Sequence, residues 1–141
     1  MPHLVMLYTG NLDGRTDINA LCRKLADAML SVQDDNGGQV FPTGGTRVLA
    51  YPAPHFAIAD GGAAGIAAGG SGEYAFVYLN LRMGRGRSDA TKKRAGDAVL
   101  TAAKAFLDTV FANQHIGMTV QVDEGPEVYD GKHSTLHPLF S

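Results

Sequence analysis

The order of predicted elements constrains this chain most. It reads strand, helix, strand, a linker, then strand, helix, strand again. "HLVMLY" (residues 3–8) is an apolar run of the kind that forms a buried strand. The loop "TGNLDGRTD" follows, and Thr16 or Asp17 caps a helix from about Ile18 to Val32. Its Ile18, Leu21, Cys22, Leu25, Met29 and Val32 keep the i, i+3, i+4 spacing of one apolar face. "QDDNGG" predicts its stop, with Gly37 or Gly38 in the left-handed turn. "PTGG" is a turn and "TRVLAY" a second strand. Two prolines restrict "PAPHFAIAD" to an extended connection with a short edge strand. In the second unit, "YAFVYLNLRM" is the strand richest in β-branched and aromatic residues. Ser88 caps a helix from about Asp89 to Ala112, and "IGMTVQVDE" is the last strand.

A right-handed crossover makes the two strands of each unit parallel. The expected fold is α/β (α+β): a tandem βαβ repeat building one four-stranded sheet with two helices on one face. The expected organisation is a single domain over residues 1–141. Its pseudo-repeat covers about 1–60 and 72–125, with a Gly-rich loop at 61–72 and a C-terminal tail at 126–141. Such a sheet leaves its second face bare, and that face is buried by another copy, so the pattern predicts an oligomer.

Apolar residues at 45% against 18% charged place the chain among globular proteins rather than disordered ones. A net charge of -2 argues against a general nucleic-acid or membrane-surface binder. The single cysteine, Cys22, excludes an intramolecular disulfide and reads as a small core residue. No apolar run has the length of a membrane span, and the N-terminus lacks the pattern of a signal peptide, so a cytoplasmic location is expected. Residues 61–72 hold six glycines and four alanines and read as a flexible loop. A phosphate cradle is excluded there, because a strand follows where it would need a helix.

His133 and His137 have the i, i+4 spacing of a zinc helix. They lack the adjacent Glu, and Pro138 opposes a helix, so they read as surface or interface histidines with no metal. Residues 82–94 carry six basic side chains against one acid. Lys92, Lys93 and Arg94 read as a solvated helix start. Arg85 and Arg87 sit in a Gly-flanked turn after a buried strand, and Arg47 follows "PTGG". A guanidinium so placed can take a carboxylate bidentately.

The opening "MP" adds a second chemical group. Proline donates no strand hydrogen bond, so Pro2 is either an inert strand start or a functional group. Removal of Met1 would leave its nitrogen a secondary amine at the end of a strand. Burial and nearby guanidiniums would lower the pKa of that amine, from above the ~8 of an ordinary α-amino group towards the working range of a base. The same arginines would bind carboxylates and stabilise an enolate. Proton removal beside the carbonyl of an anionic keto acid is the chemistry these groups suit.

With these residues in view, the sequence resembles the 5-carboxymethyl-2-hydroxymuconate isomerase family of the tautomerase superfamily. The resemblance is carried in order by "MPHLVMLYTGN", "FPTGGTR", "IADG…YAFVYLNLRMGRGRS" and "KHSTLHPLF". It implies Pro2 as the catalytic base and Arg47 and Arg87 as ligands of substrate carboxylates and the oxyanion. It implies a homotrimer with sites near subunit interfaces, an anionic small-molecule substrate, and no metal or organic cofactor. The implied reaction moves a double bond in 5-carboxymethyl-2-hydroxymuconate. Its setting is bacterial homoprotocatechuate breakdown, in 4-hydroxyphenylacetate degradation. Three departures stand out: the long 61–72 loop, Leu7 where relatives often carry an acid, and Met1, whose retention would turn Pro2 into a non-basic amide. They keep two alternatives open. One is a proline-based tautomerase acting on a different keto acid, and the other a non-enzymatic trimeric binding protein.

Overall fold

The computed structural model describes residues 2–140. Eight elements follow in order: β1 (His3–Thr9), α1 (Ile18–Leu30), β2 (Arg47–Ala53), α2 (Ala63–Ala67), β3 (Tyr74–Met83), α3 (Asp89–Phe106), α4 (Asp108–Asn113) and β4 (His115–Glu124). The strands form one sheet in the order β2-β1-β3-β4. β1 runs parallel to β2 and β3 parallel to β4, while β1 and β3 meet antiparallel at the centre. Each parallel pair is joined by a helical crossover, since short hairpins cannot join parallel strands: α1 between β1 and β2, and α3 with α4 between β3 and β4.

Period-two alternation sorts the side chains. Leu4, Met6, Val77, Leu79 and Leu81 point to the helices and are fully buried. α1 meets them with Leu21, Leu25 and Met29, and α3 with Ala95, Val99 and Ala103. The small alanines of α3 let the two helices lie close over one sheet. The expected class, four strands with both long helices on one face, is the one observed. The opposite face is left open and carries Leu7, Leu49 and Tyr51 at 46%, 45% and 51% exposure. β2 is an edge strand, which is why Pro52 can lie inside it.

Several local expectations are corrected. Asp17 does cap α1, accepting from Ala20 N, but the helix ends at Leu30, before Gly37. Gly37, with φ at 80°, instead closes a turn in which Asp34 Oδ1 accepts from Asn36 and Gly38. The second helix stops at Phe106, because Leu107 leaves helical geometry (φ −91°, ψ 9°) before α4 resumes. Residues 61–72 are not a free loop. They hold α2, whose first turn donates from Gly62 N and Ala64 N to the Asp60 carboxylate at 3.0 and 2.9 Å. The tail beyond β4 is extended and ends in a 3-10 turn, His137–Phe140, seated against the Thr43–Gly45 turn. Among the described residues, no helix is long and apolar enough to cross a membrane.

Candidate active site

One end of the sheet gathers the residues singled out by their chemistry. Pro2 is buried at the start of β1. The next residue, His3, pairs in register with Arg47 on one side and Arg82 on the other. Continuing that register by one residue sets Pro2 between Thr46 and Met83. The Gly84–Ser88 turn that carries Arg87 leaves β3 at the same end. The retention or removal of Met1 lies outside the described residues.

Arg47 begins β2, directly after the Thr43–Gly45 turn, in which Thr46 Oγ1 donates back to Pro42 O. Its Nη1 lies 3.4 Å from His3 Nδ1. A guanidinium only donates, so this contact asks for an unprotonated ring nitrogen. Burial above all, then the charges of Arg47 and Arg82, push the His3 pKa below its ordinary value and favour that neutral form. Arg87 is half-buried, with its guanidinium carbon 5.5 Å from the Phe41 ring centre. Its Nη atoms donate to Gly84 O at 2.9 Å and Val40 O at 3.3 Å. Those bonds tie the β3 exit to the segment leading into β2, and they use part of a five-donor fork.

Two clefts flank this end. One of 360 Å³ lies between His3 and Arg47 and the tail residues Asp130–Leu136 and His137. The other, 630 Å³, runs between α1, the Thr43–Thr46 turn, Arg47 and Phe140, and includes Cys22 and Arg23. Arg47 is common to both, while among the described residues Pro2 and Arg87 line neither. The sequence reading therefore singled out three residues that share one end of the sheet, of which Arg47 lines both of these clefts.

Other candidates resolve differently. Arg85 donates to Gly125 O and braces the end of β4. Lys92 pairs with Asp89 and Glu124, Lys93 with Asp97, and Arg94 with Asp35, so the basic helix start is neutralised locally. Cys22 is half-buried at the core margin, and burial pushes its thiol up. Among the described residues there is no group of His, Cys, Asp or Glu arranged to hold a metal ion. The chemical reading missed His3 and Arg82, which stand one residue in from Pro2, and the tail groups Lys132, His133 and His137, which share a cleft with His3 and Arg47. Asn80 was the available signal: a polar residue inside the most apolar strand of the chain marks a place where the open face does something other than pack.

The family model described as CHMI, 5-carboxymethyl-2-hydroxymuconate isomerase, matches residues 2–140. The curated 5-carboxymethyl-2-hydroxymuconate Delta-isomerase of Escherichia coli is 21% identical over 140 residues, 99% of each chain. A crystal structure of a 5-carboxymethyl-2-hydroxymuconate delta-isomerase is 63% identical and superposes with a TM-score of 0.96, over 100% of this chain and 93% of that one. A 5-carboxymethyl-2-hydroxymuconate isomerase from Deinococcus radiodurans R1 is 30% identical with a TM-score of 0.79, over 99% and 94%. Fold, chain length and sequence agree over the whole domain, and the chain belongs to the 5-carboxymethyl-2-hydroxymuconate isomerase family, a family of isomerases.

Proposed function

We propose that this protein is a homotrimeric, cofactor-independent isomerase that moves a double bond in 5-carboxymethyl-2-hydroxymuconate, with Pro2 as the base. The observation that carries the reading is the convergence of Pro2, Arg47 and the Arg87 turn on one end of the sheet within a family of isomerases. With Met1 removed, the Pro2 nitrogen takes a proton from the substrate and leaves a dienolate. The negative charge gathers on the oxygen at C2, where a guanidinium stabilises it more strongly than it stabilises the neutral ground state. That proton comes from the 2-hydroxyl, and the prolinium then delivers it to the carbon at the far end of the conjugated system, so atoms balance, the enol becomes a 2-oxo group and the remaining double bond shifts by one position. Burial of Pro2 and guanidinium groups at the same end of the sheet both disfavour the protonated amine. Bacterial homoprotocatechuate breakdown, in the cytoplasm, is the setting in which such a substrate arises.

The test is an ultraviolet assay of isomerisation, on protein whose mass shows Met1 removed. Pro2→Ala should lower kcat at least a hundredfold, the scale of positioned proton transfer. Arg47→Ala and Arg87→Ala should each lower kcat/KM about tenfold or more. Wild-type rates in all three variants would end the proline reading. The docked 61–72 segment and Leu7 on the open face favour a second reading, a related keto acid as the better substrate. Higher kcat/KM on a phenylenolpyruvate-type substrate would select it.

A further inference from the structure

Asn80 poses the question. It is 1% exposed in the middle of a strand, where a polar side chain costs free energy unless its groups are paired. Both ends of its amide are used. Nδ2 donates to Asp123 Oδ2 at 2.8 Å, and Oδ1 accepts from Arg82 Nε at 2.6 Å. In register, Asp123 lies directly across from Arg82, the position where an ion pair would form. The Asp123 carboxylate is instead engaged by Asn80, and among the described residues Arg82 pairs with no carboxylate. Its exposed guanidinium is thus anchored through Nε, leaving the two Nη groups for a planar acceptor.

Arg82 also occupies a particular place. It stands beside His3, which stands beside Arg47, so three nitrogenous side chains cross the open face one residue in from Pro2. The His3 and Arg47 end of this row faces the 360 Å³ cleft, where Lys132, His133 and His137 stand against the single acid Asp130. Lys132 already pairs with Asp130 at 2.6 Å. The row thus carries two guanidiniums, Arg47 and Arg82, one on each side of His3, a spacing that suits more than one carboxylate.

Resting on the isomerase reading above, we infer that Arg82 is a specificity-determining residue that takes a carboxylate which Arg47 and Arg87 do not, so that the site selects polycarboxylate substrates. Asn80 is its positioning residue, holding Nε and keeping Asp123 from neutralising the fork. 5-Carboxymethyl-2-hydroxymuconate, a muconate with a carboxymethyl arm, brings three carboxylates to such a row.

The experiment measures kcat and KM for wild type, Arg82→Gln, Arg82→Lys and Asn80→Ser. Each is assayed on 5-carboxymethyl-2-hydroxymuconate and on a monocarboxylate enol of phenylpyruvate type. Arg82→Gln should raise KM for the tricarboxylate about tenfold or more, the scale of one charge-assisted hydrogen bond pair. It should leave kcat within about threefold and leave the monocarboxylate KM unchanged. Arg82→Lys should restore part of the loss. Asn80→Ser should lower the tricarboxylate preference in the same sense while circular dichroism stays native. Equal loss on both substrates, or none on either, overturns the inference while the isomerase reading stands. A wild-type protein that isomerises neither substrate overturns that reading and this inference with it.

Discussion

At the scale of single residues, the core and the site obey the same electrostatic rules with opposite consequences. Tyr8 is buried on the helix side of β1, and its hydroxyl donates to Asp13 Oδ1 at 2.6 Å. Burial, then the Asp13 bond, push its pKa up to about 12. The unfolded chain releases that proton first as pH rises past ~10. Stability supplied by the protonated phenol is therefore complete below pH ~10 and is lost between there and about 12. Tyr8→Phe should cost about 0.5–1.5 kcal/mol at neutral pH and flatten the alkaline fall. Thermal melts from pH 7 to 11 read both effects, and an alkaline slope equal to wild type would assign the loss to other groups. Near Pro2 the same reasoning runs with cations: His3 is kept neutral by burial and by two guanidiniums, so the row beside the strand end presents arginine charge without a competing imidazolium. Arg47 and Arg87 were singled out in the sequence because each follows a glycine turn, where a side chain is freed from packing, and Pro2 because a proline opens the chain just ahead of a strand. Arg82 was not. In a linear reading it merges with the basic run after β3, and only the cross-strand register reveals that it stands beside His3.

At the scale of elements, strands were easier to read than the breaks between helices. β3 was placed to the residue because ten consecutive side chains suit a pleated surface and a glycine follows. The break at Leu107 has no such mark, since Ala95, Val99, Ala103 and Leu107 continue the apolar stripe through it. The 61–72 segment shows the reverse error. Its composition signals freedom, yet the glycines are there for close approach. A Cβ on Gly62 would collide with the Gly72 carbonyl, and one on Gly65 would come within 2.8 Å of the Tyr74 ring. Tyr74 Oη accepts from Gly65 N at 3.0 Å and so clamps α2 to the start of β3. Gly62 also has φ at 115°, which an alanine resists. Gly62→Ala should therefore loosen the whole segment by more than the ~1 kcal/mol of an ordinary glycine change. Limited proteolysis within 60–72 should speed severalfold with little change in global melting temperature. Unchanged cleavage would mean that the segment tolerates the clash by shifting as a unit.

At the scale of the whole molecule, two sets of large apolar side chains are left exposed among the described residues. The first is the open sheet face, where Leu49 and Val5 form an apolar pair across two strands and Tyr51, Leu7 and Tyr78 a row across three. The second is the tail, whose Val128, Tyr129, Leu136 and Leu139 are largely exposed although they are large and apolar. A monomer in water would leave both wet, at a cost of about 25 cal/mol for each Å² that another copy could cover. The open face also meets the Arg47–His3–Arg82 row, so whatever covers it borders the proposed site. Three copies of the 14.9 kDa chain are expected as the sedimenting species. Leu49→Glu with Tyr51→Glu places two charges on the open face, and a trimer held through that face should fall apart to a single copy. Neither residue belongs to the core beneath the helices, so the far-ultraviolet spectrum should stay native. Isomerase activity should fall with the trimer, because a charged, solvated sheet face cannot exclude water from the dienolate at its edge. A wild-type chain that sediments alone would leave the apolar rows to another partner. A dissociated variant with full activity would show that each chain completes its own site.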